Sequence, residues 1–326
     1  MYRYICNSLG LAALALSVAA PAFAQSDFPN RPITIVVPFP AGGSADVLPR
    51  IAGEYLSQKW KQQIIVENRA GAGGNIGAAH VYRAAPDGYT LLSAPPPPLA
   101  INQSLYPKLQ FEPEKFEPIT ILASTPNVLA VSLKSGVNSV AELVAKAKGD
   151  PGKLSVASQG NGTTSHLTSE MFQFLSATKF NHVPYRGTAP ALTDLAAGHV
   201  DIFFDNISSS LPQHQGGKIK ILAVAAPERS TKIPDVPTLS ERGFPGFYAI
   251  AWYGIVAPPG TPKAITAKLS ADIREALAQP SIRERFLAQE ATPIGSAPEE
   301  AGKYMESERK LWGDVIKRAN IRIEGN

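Results

Sequence analysis

The 326-residue chain has one cysteine, only five histidines and, beyond its first 24 residues, no apolar run long enough to cross a bilayer. Each shortage removes a class of function. Cys6 lies ahead of the apolar run LGLAALALSVAA, so it is no lipid-anchor cysteine at a cleavage site, and a mature chain has neither disulfides nor a catalytic thiol. The histidines, His80, His166, His182, His199 and His214, show neither H-E-x-x-H nor paired spacing of the kind zinc requires. Caps and loops are their ordinary places, with His166, just after a glycine loop, set apart. No G-x-S-x-G elbow occurs, neither glycine loop supplies a P-loop lysine, and Gly71, Gly73 and Ile76 miss the third glycine of a dinucleotide fingerprint, although Gly77 is adjacent. No metal and no cofactor are expected. Catalysis is disfavoured, although a triad assembled across the chain is invisible in sequence. Charge of one sign is not concentrated either: 31 basic and 27 acidic residues are scattered, which favours solubility and mild attraction to anions over nucleic-acid binding.

What is present begins with an export signal. Arg3, the short apolar run and Ala22-Phe23-Ala24 form an n-region, h-region and A-x-A site, predicting a secretory signal peptide over residues 1–24 cut after Ala24. Its loss removes one arginine and no acid, lowering the net charge of +4 by one. The mature protein is expected to be soluble and exported. With 44% hydrophobic residues it is long enough for two domains, each with its own core.

The mature chain alternates strands and helices. ITIVVPF at 33–39 is a β-branched run suited to a buried strand, and Val47, Leu48, Ile51, Tyr55, Leu56 and Trp60 then recur at helical spacing. IIVEN, a helix through Val81 and YTLLSA continue the pattern, which predicts parallel strands joined by right-handed crossovers. The proline-rich segment from 95 reads as loop and short helix. ITILAS and VLAVSL are strand candidates, and Ser139 with Glu142 forms a capping box. LSVAS, the loop QGNGTTSH and a helix then repeat the opening grammar. HVPY, a helix over 189–197, VDIFFDN and IKILAVAA complete a second αβ unit. After AIAWYGIVAPPG the chain ends mostly helical, its last long helix capped by Ser296 with Glu299. The simplest architecture is α/β in two lobes, each a sheet flanked by helices. Residues 25–122 with 229–326 form lobe 1 and 123–228 lobe 2, joined by crossings near 121–130 and 219–230.

The two strand-to-helix turns are where chemistry is expected. At a helix N-terminus the first amides lack partners and carry the positive end of the macrodipole, so a carboxylate or phosphate fits without a lysine. Gly42 and Gly43 would let a ligand approach the main chain. Against this, the glycines could merely turn the chain and Ser44 cap the helix. Gly160, Gly162, Thr163 and Thr164 repeat the arrangement in the other lobe, and two such mouths across a hinge would clamp one small acid. Asp205 and Asn206, ending VDIFFDN, point to the same cleft edge, where Asp205 could accept from a ligand or cap the following segment. Pro49 predicts a late helix start, capped at Asp46, leaving Gly43 to Ala45 as a loop facing the ligand.

VVPFPAGGSAD, VENRAGAGGNIGA, SQGNGTTSHL, HVPYRGTAPALTDLAAGHVDIFFDN, VPTLSERGFPG and WYGIVAPPGTP, in this order over nearly the whole mature chain, resemble the Bug-type extracytoplasmic solute receptors of tripartite tricarboxylate transporters. The resemblance implies a two-lobed periplasmic binding fold that closes like a flytrap on an organic acid, as a monomer, and delivers it to two membrane subunits. It places the ligand's proximal carboxylate at Phe39, Ala41, Gly42, Gly43, Ser44 and Asp46 of the first loop and at Ser158, Gly160, Thr163, Thr164 and His166 of the second. Asp205 and Asn206 match the family's strand-end pair. Two departures stand out: PPPPLAIN replaces a usually more polar segment, and Pro49 stands where alanine is common. The first implies a stiffer, less polar wall and an aromatic or longer-chain carboxylate as readily as citrate or malate. A receptor docking on a membrane sensor kinase has the same sequence features, and a secreted hydrolase with a dispersed triad is the remaining alternative.

Overall fold

The computed structural model describes residues 28–318 and Ile321, so the signal segment 1–24 lies outside the described residues. The chain runs β1 (Ile33–Val37), α1 (Ser44–Trp60), β2 (Ile64–Asn68), α2 (Asn75–Tyr82), β3 (Thr90–Ala94), α3 (Asn102–Leu105) and β4 (Glu117–Ser132). It continues through α4 (Val140–Gly149), β5 (Ser155–Ser158), α5 (Thr164–Ser176), β6 (Asn181–Pro184), α6 (Thr188–Ala197), β7 (Ile202–Asn206), α7 (Ile207–Gln215) and β8 (Ile219–Val224). It closes with β9 (Ile250–Ala257), α8 (Lys263–Ala278), α9 (Pro280–Ala288), β10 (Thr292–Pro293) and α10 (Pro298–Arg318). None of the described helices is long and apolar enough to cross a membrane.

The strand order is β2-β1-β3-β9-β4-β7-β5-β6, with β8 and β10 also on β4. The expected parallel crossovers hold within each lobe: β1 pairs parallel with β2 and β3, and β5 with β6 and β7. In each lobe an antiparallel strand then closes the parallel trio, β9 on β3 and β4 on β7. The two lobes therefore repeat one plan, and the glycine loops follow its equivalent strands, β1 and β5. Apolar side chains fill both faces of each sheet, with α1, α8 and α9 covering one face of the first and α2 and α10 the other. Around the second sheet, α4 and α5 share one core and α6 and α7 the opposite one.

Three sequence expectations need correction. The two strand candidates 119–124 and 128–133 are one 16-residue strand, β4, whose first half pairs with β9 and whose second half pairs with β7 and β8. Pro126 disguised this continuity. Ser296 does not cap α10; its hydroxyl accepts from the Ile121 amide at 2.9 Å, and Glu300 reaches back to the Ala297 amide instead. The start of α1 is also earlier than Pro49 implied. Asp46 N and Val47 N both donate to Gly43 O, making Gly43 the cap and setting Pro49 inside the helix. The helix tolerates the proline at the cost of one amide, because Asp46 in its first turn accepts from the Gly42 amide at 3.0 Å and locks the early start.

The chain crosses once along β4. Leu239, Phe247 and Ala249 belong to the core of the second sheet, with Phe244 packed against it. We therefore propose that the return crossing lies near Ala249, at the start of β9, rather than at 219–230.

Candidate functional site

A cavity of about 540 Å³ opens where both sets of strand ends converge. Four helices begin at its wall: Gly43, Thr163, Gly187 and Asn206, the residues that cap α1, α5, α6 and α7, all line it. At Gly43, Gly187 and Asn206 no side chain caps the helix, so first-turn amides remain open to a guest. Pro95 and Pro97 of the proline-rich segment form part of the wall. Ala251 and Tyr253 of β9 form another part, and burial pushes the Tyr253 phenol up, keeping it a neutral donor. The lobes touch here. Ser44 Oγ lies 2.7 Å from Ser208 Oγ, and Asn206 Nδ2 donates to the Tyr253 hydroxyl at 3.3 Å.

Of the residues singled out in the sequence, Phe39, Ala41, Gly42, Gly43, Ser44, Thr163, Thr164 and Asn206 line this cavity. Five others do not reach it, and each has a partner that explains why. Asp46 is buried under its loop, where its carboxylate accepts from Gly42 N, Arg50 Nε and Asn68 Nδ2. Asn68 Nδ2 also donates to Phe39 O, so this pair ties the first loop to β2. Ser158 is fully buried with its Oγ 2.7 Å from His182 Nε2, and Gly160 N donates to the same hydroxyl. Gly160 itself holds φ +127, with Tyr185 O only 3.2 Å from where a Cβ would stand. It shapes the turn.

His166 works from behind the second loop. Its Nδ1 accepts from Gly162 N at 3.2 Å, and its ring stacks on His182 with centroids 4.2 Å apart. Burial and the neighbouring His182 push the His166 imidazole down to about 3, and burial pushes His182 down to about 4. Both rings are therefore neutral at working pH. Because their folded values lie below the ordinary 6.5, the unfolded chain binds protons first, and their contribution to stability fades as pH falls from about 6.5 toward 4 and then 3. An NMR titration is expected to show both ring signals unmoved above pH 5; a midpoint near 6.5 for either would contradict the burial argument.

Asp205 neither faces the cavity nor caps α7. It is fully buried; Gln159 Nε2 donates to its Oδ1 and Ser210 Oγ to its Oδ2, each at 2.8 Å. Burial pushes its carboxyl up to about 6, the hydrogen bonds opposing that rise in part. Asn206, its neighbour on the strand, faces the cavity side because successive strand residues point to opposite faces. Its Oδ1 is buried with no hydrogen-bond partner among the described residues.

Sequence reasoning missed Gln159, which Asp205 positions, and the loop after β6. Arg186, Gly187 and Thr188 line the cavity at the start of α6. The usable signal was the lobe plan itself, since every strand of a parallel trio ends at the same sheet edge. Arg186 also adds a cation to a site whose loops were expected to hold an anion without a lysine. Among the described residues no group of three His, Cys, Asp or Glu side chains is placed to hold a metal ion.

This geometry has relatives. The tripartite tricarboxylate transporter family receptor, TctC, matches residues 48–321. BugT of Bordetella pertussis is 36% identical over 318 residues, covering 97% of each chain. Among solved structures, an R. palustris protein with adipate aligns with a TM-score of 0.88 and 35% identity, covering 91% of this chain and 99% of that one. MatC from Rhodopseudomonas palustris with bound malate aligns with a TM-score of 0.84 and 36% identity, covering 89% of this chain and 100% of that one. Both solved structures share the α/β fold described above. The chain belongs to the tripartite tricarboxylate transporter receptor family, as a Bug-type member.

Proposed function

We propose that the chain is a periplasmic receptor that closes on an organic carboxylate, delivers it to the membrane subunits of a tripartite transporter, and performs no chemistry on it. The observation that carries this reading is the convergence of four helix caps on one cavity. Each N-terminus offers unpaired amides and roughly half a positive charge, worth up to about 2 kcal/mol toward an anion when partly buried. The amides of Ser44 and Ala45 from α1 and of Thr164 from α5 take the proximal carboxylate, one lobe on each side. Closure therefore follows from binding, because only the closed form presents both sets of amides to the same oxygens. Asp46, Ser158, Gly160 and His166 hold the loops in place, and Asp205 acts through Gln159.

The proline wall and the relatives solved with adipate and malate support a dicarboxylate of four carbons or more. Nothing at the cavity recommends hydrolysis. Ser158 and His182 are in contact, but the serine is fully buried and the imidazole, pushed down to about 4, is a weak base.

A thermal-shift screen of aliphatic and aromatic mono-, di- and tricarboxylates tests the reading. A true ligand is expected to add about 2.7 kcal/mol of stability at a hundredfold excess over its dissociation constant. Shifts with amines or sugars and none with any organic acid would contradict it.

A further inference from the structure

The cavity does not end at the ring of helix caps. It continues between α6 and α7, where Ala189, Leu192 and Ala196 line it on one side and Gln213 on the other. Lys218, in the turn after α7, stands at its far end. The α6 residues fall at i, i+3 and i+7, one continuous stripe along the helix. From Ala189 to Ala196 the helix rises about 10 Å, slightly more than the ~9 Å spanned by the eight carbons of an extended chain whose ~1.5 Å bonds each advance about 1.27 Å along a tetrahedral zigzag.

The α6 stripe itself is apolar, with Thr193 beside it and Ser209 and Gln213 opposite on α7, and it is flanked by cations, Arg186 just before α6 and Lys218 just after α7. Both are exposed, and neither forms an ion pair among the described residues. A cavity of about 540 Å³ is also far larger than a four-carbon acid fills. A trough with an apolar α6 wall and an unpaired ammonium beyond it complements a methylene chain that ends in a second carboxylate.

We propose that the α6–α7 groove seats the tail of a long-chain α,ω-dicarboxylate, with Lys218 receiving its distal carboxylate. This rests on the reading that the helix caps hold the proximal one. The groove thereby selects chain length and the second charge, while the caps select the first. A monocarboxylate of equal length fills the trough but leaves Lys218 unpaired, and a four-carbon diacid never reaches it.

Isothermal titration of the mature protein with succinate, suberate and octanoate tests this. The native protein is expected to bind suberate more tightly than either of the others. Lys218→Gln should reduce the preference for suberate over octanoate about fivefold, the upper range for a solvent-exposed ion pair, and leave succinate unchanged. Ala196→Leu, which fills the trough, should weaken suberate and octanoate but not succinate. If native protein binds succinate at least as well as suberate, or if Lys218→Gln affects suberate and octanoate equally, the groove proposal is overturned and the carboxylate reading stands. If no organic acid binds native protein at all, both fall.

Discussion

Gly43→Leu is expected to lower carboxylate affinity about a hundredfold, equivalent to the ~3 kcal/mol penalty of forcing a side chain into space that must stay open. Stability should scarcely change. Gly43 has φ −88 and ψ 171, extended backbone that any residue adopts, and a Cβ built there meets nothing within 4 Å. The open space beyond it is the cavity itself, at the cap of α1. Gly42 would be a poorer choice for this test, since its φ of +92 strains any side chain and would mix a folding defect with a binding one. A melting temperature within about 2 °C of the native protein, together with lost ligand stabilisation, is the expected pair of results. Retained affinity in a folded Gly43→Leu protein would place the ligand elsewhere.

Asp46→Ala should act in the opposite manner, on the scaffold first. The carboxylate is buried and joins three donors, Gly42 N, Arg50 Nε and Asn68 Nδ2, that together fix the β1–α1 loop. Its removal is expected to cost about 3 kcal/mol, the lower end for breaking a buried pair, because Arg50 keeps contact with solvent. The pH dependence follows from the carboxyl's folded value. Burial raises it, but the hydrogen bonds from Arg50, Gly42 and Asn68 prevail and hold it below 3.8. A depressed carboxyl stabilises the fold above its unfolded value and loses that contribution as pH falls through the folded one. Urea denaturation of native and variant proteins should therefore show a constant stability gap above pH 5 that closes below about pH 4. A gap that widens in acid would overturn the assignment.

How much of this was legible in the sequence depended on whether the signal was local. The run ITIVV, the helical spacing from Val47 to Trp60 and the glycine pair between them specify a strand, a helix and an open turn without tertiary help, and all three are present. Gly43, Thr163 and Asn206 reach the cavity for the same local reason: each sits where a strand end becomes a helix start. Tyr253 could not be found this way, because its position depends on which strands lie side by side, whereas Gln159 and Arg186 sit in strand-to-helix loops of the same local kind and were passed over. Asp205 shows a different failure. It and Asn206 are consecutive on β7, so only one of the two can face the cavity, and the period of two already in the sequence would have said so. Pro49 misled because its missing amide counts against a helix, whereas Asp46 supplies a compensating bond to Gly42.

The central claim is that one carboxylate sits between the helix termini of both lobes. The most direct test follows the assigned backbone amide resonances of ¹⁵N-labelled protein through a titration with adipate. The account predicts that the amides of Ser44, Ala45 and Thr164 shift together along one saturation curve, since a single anion meets all three. Saturable binding that leaves these amides unmoved, or that shifts those of one lobe alone, would contradict it.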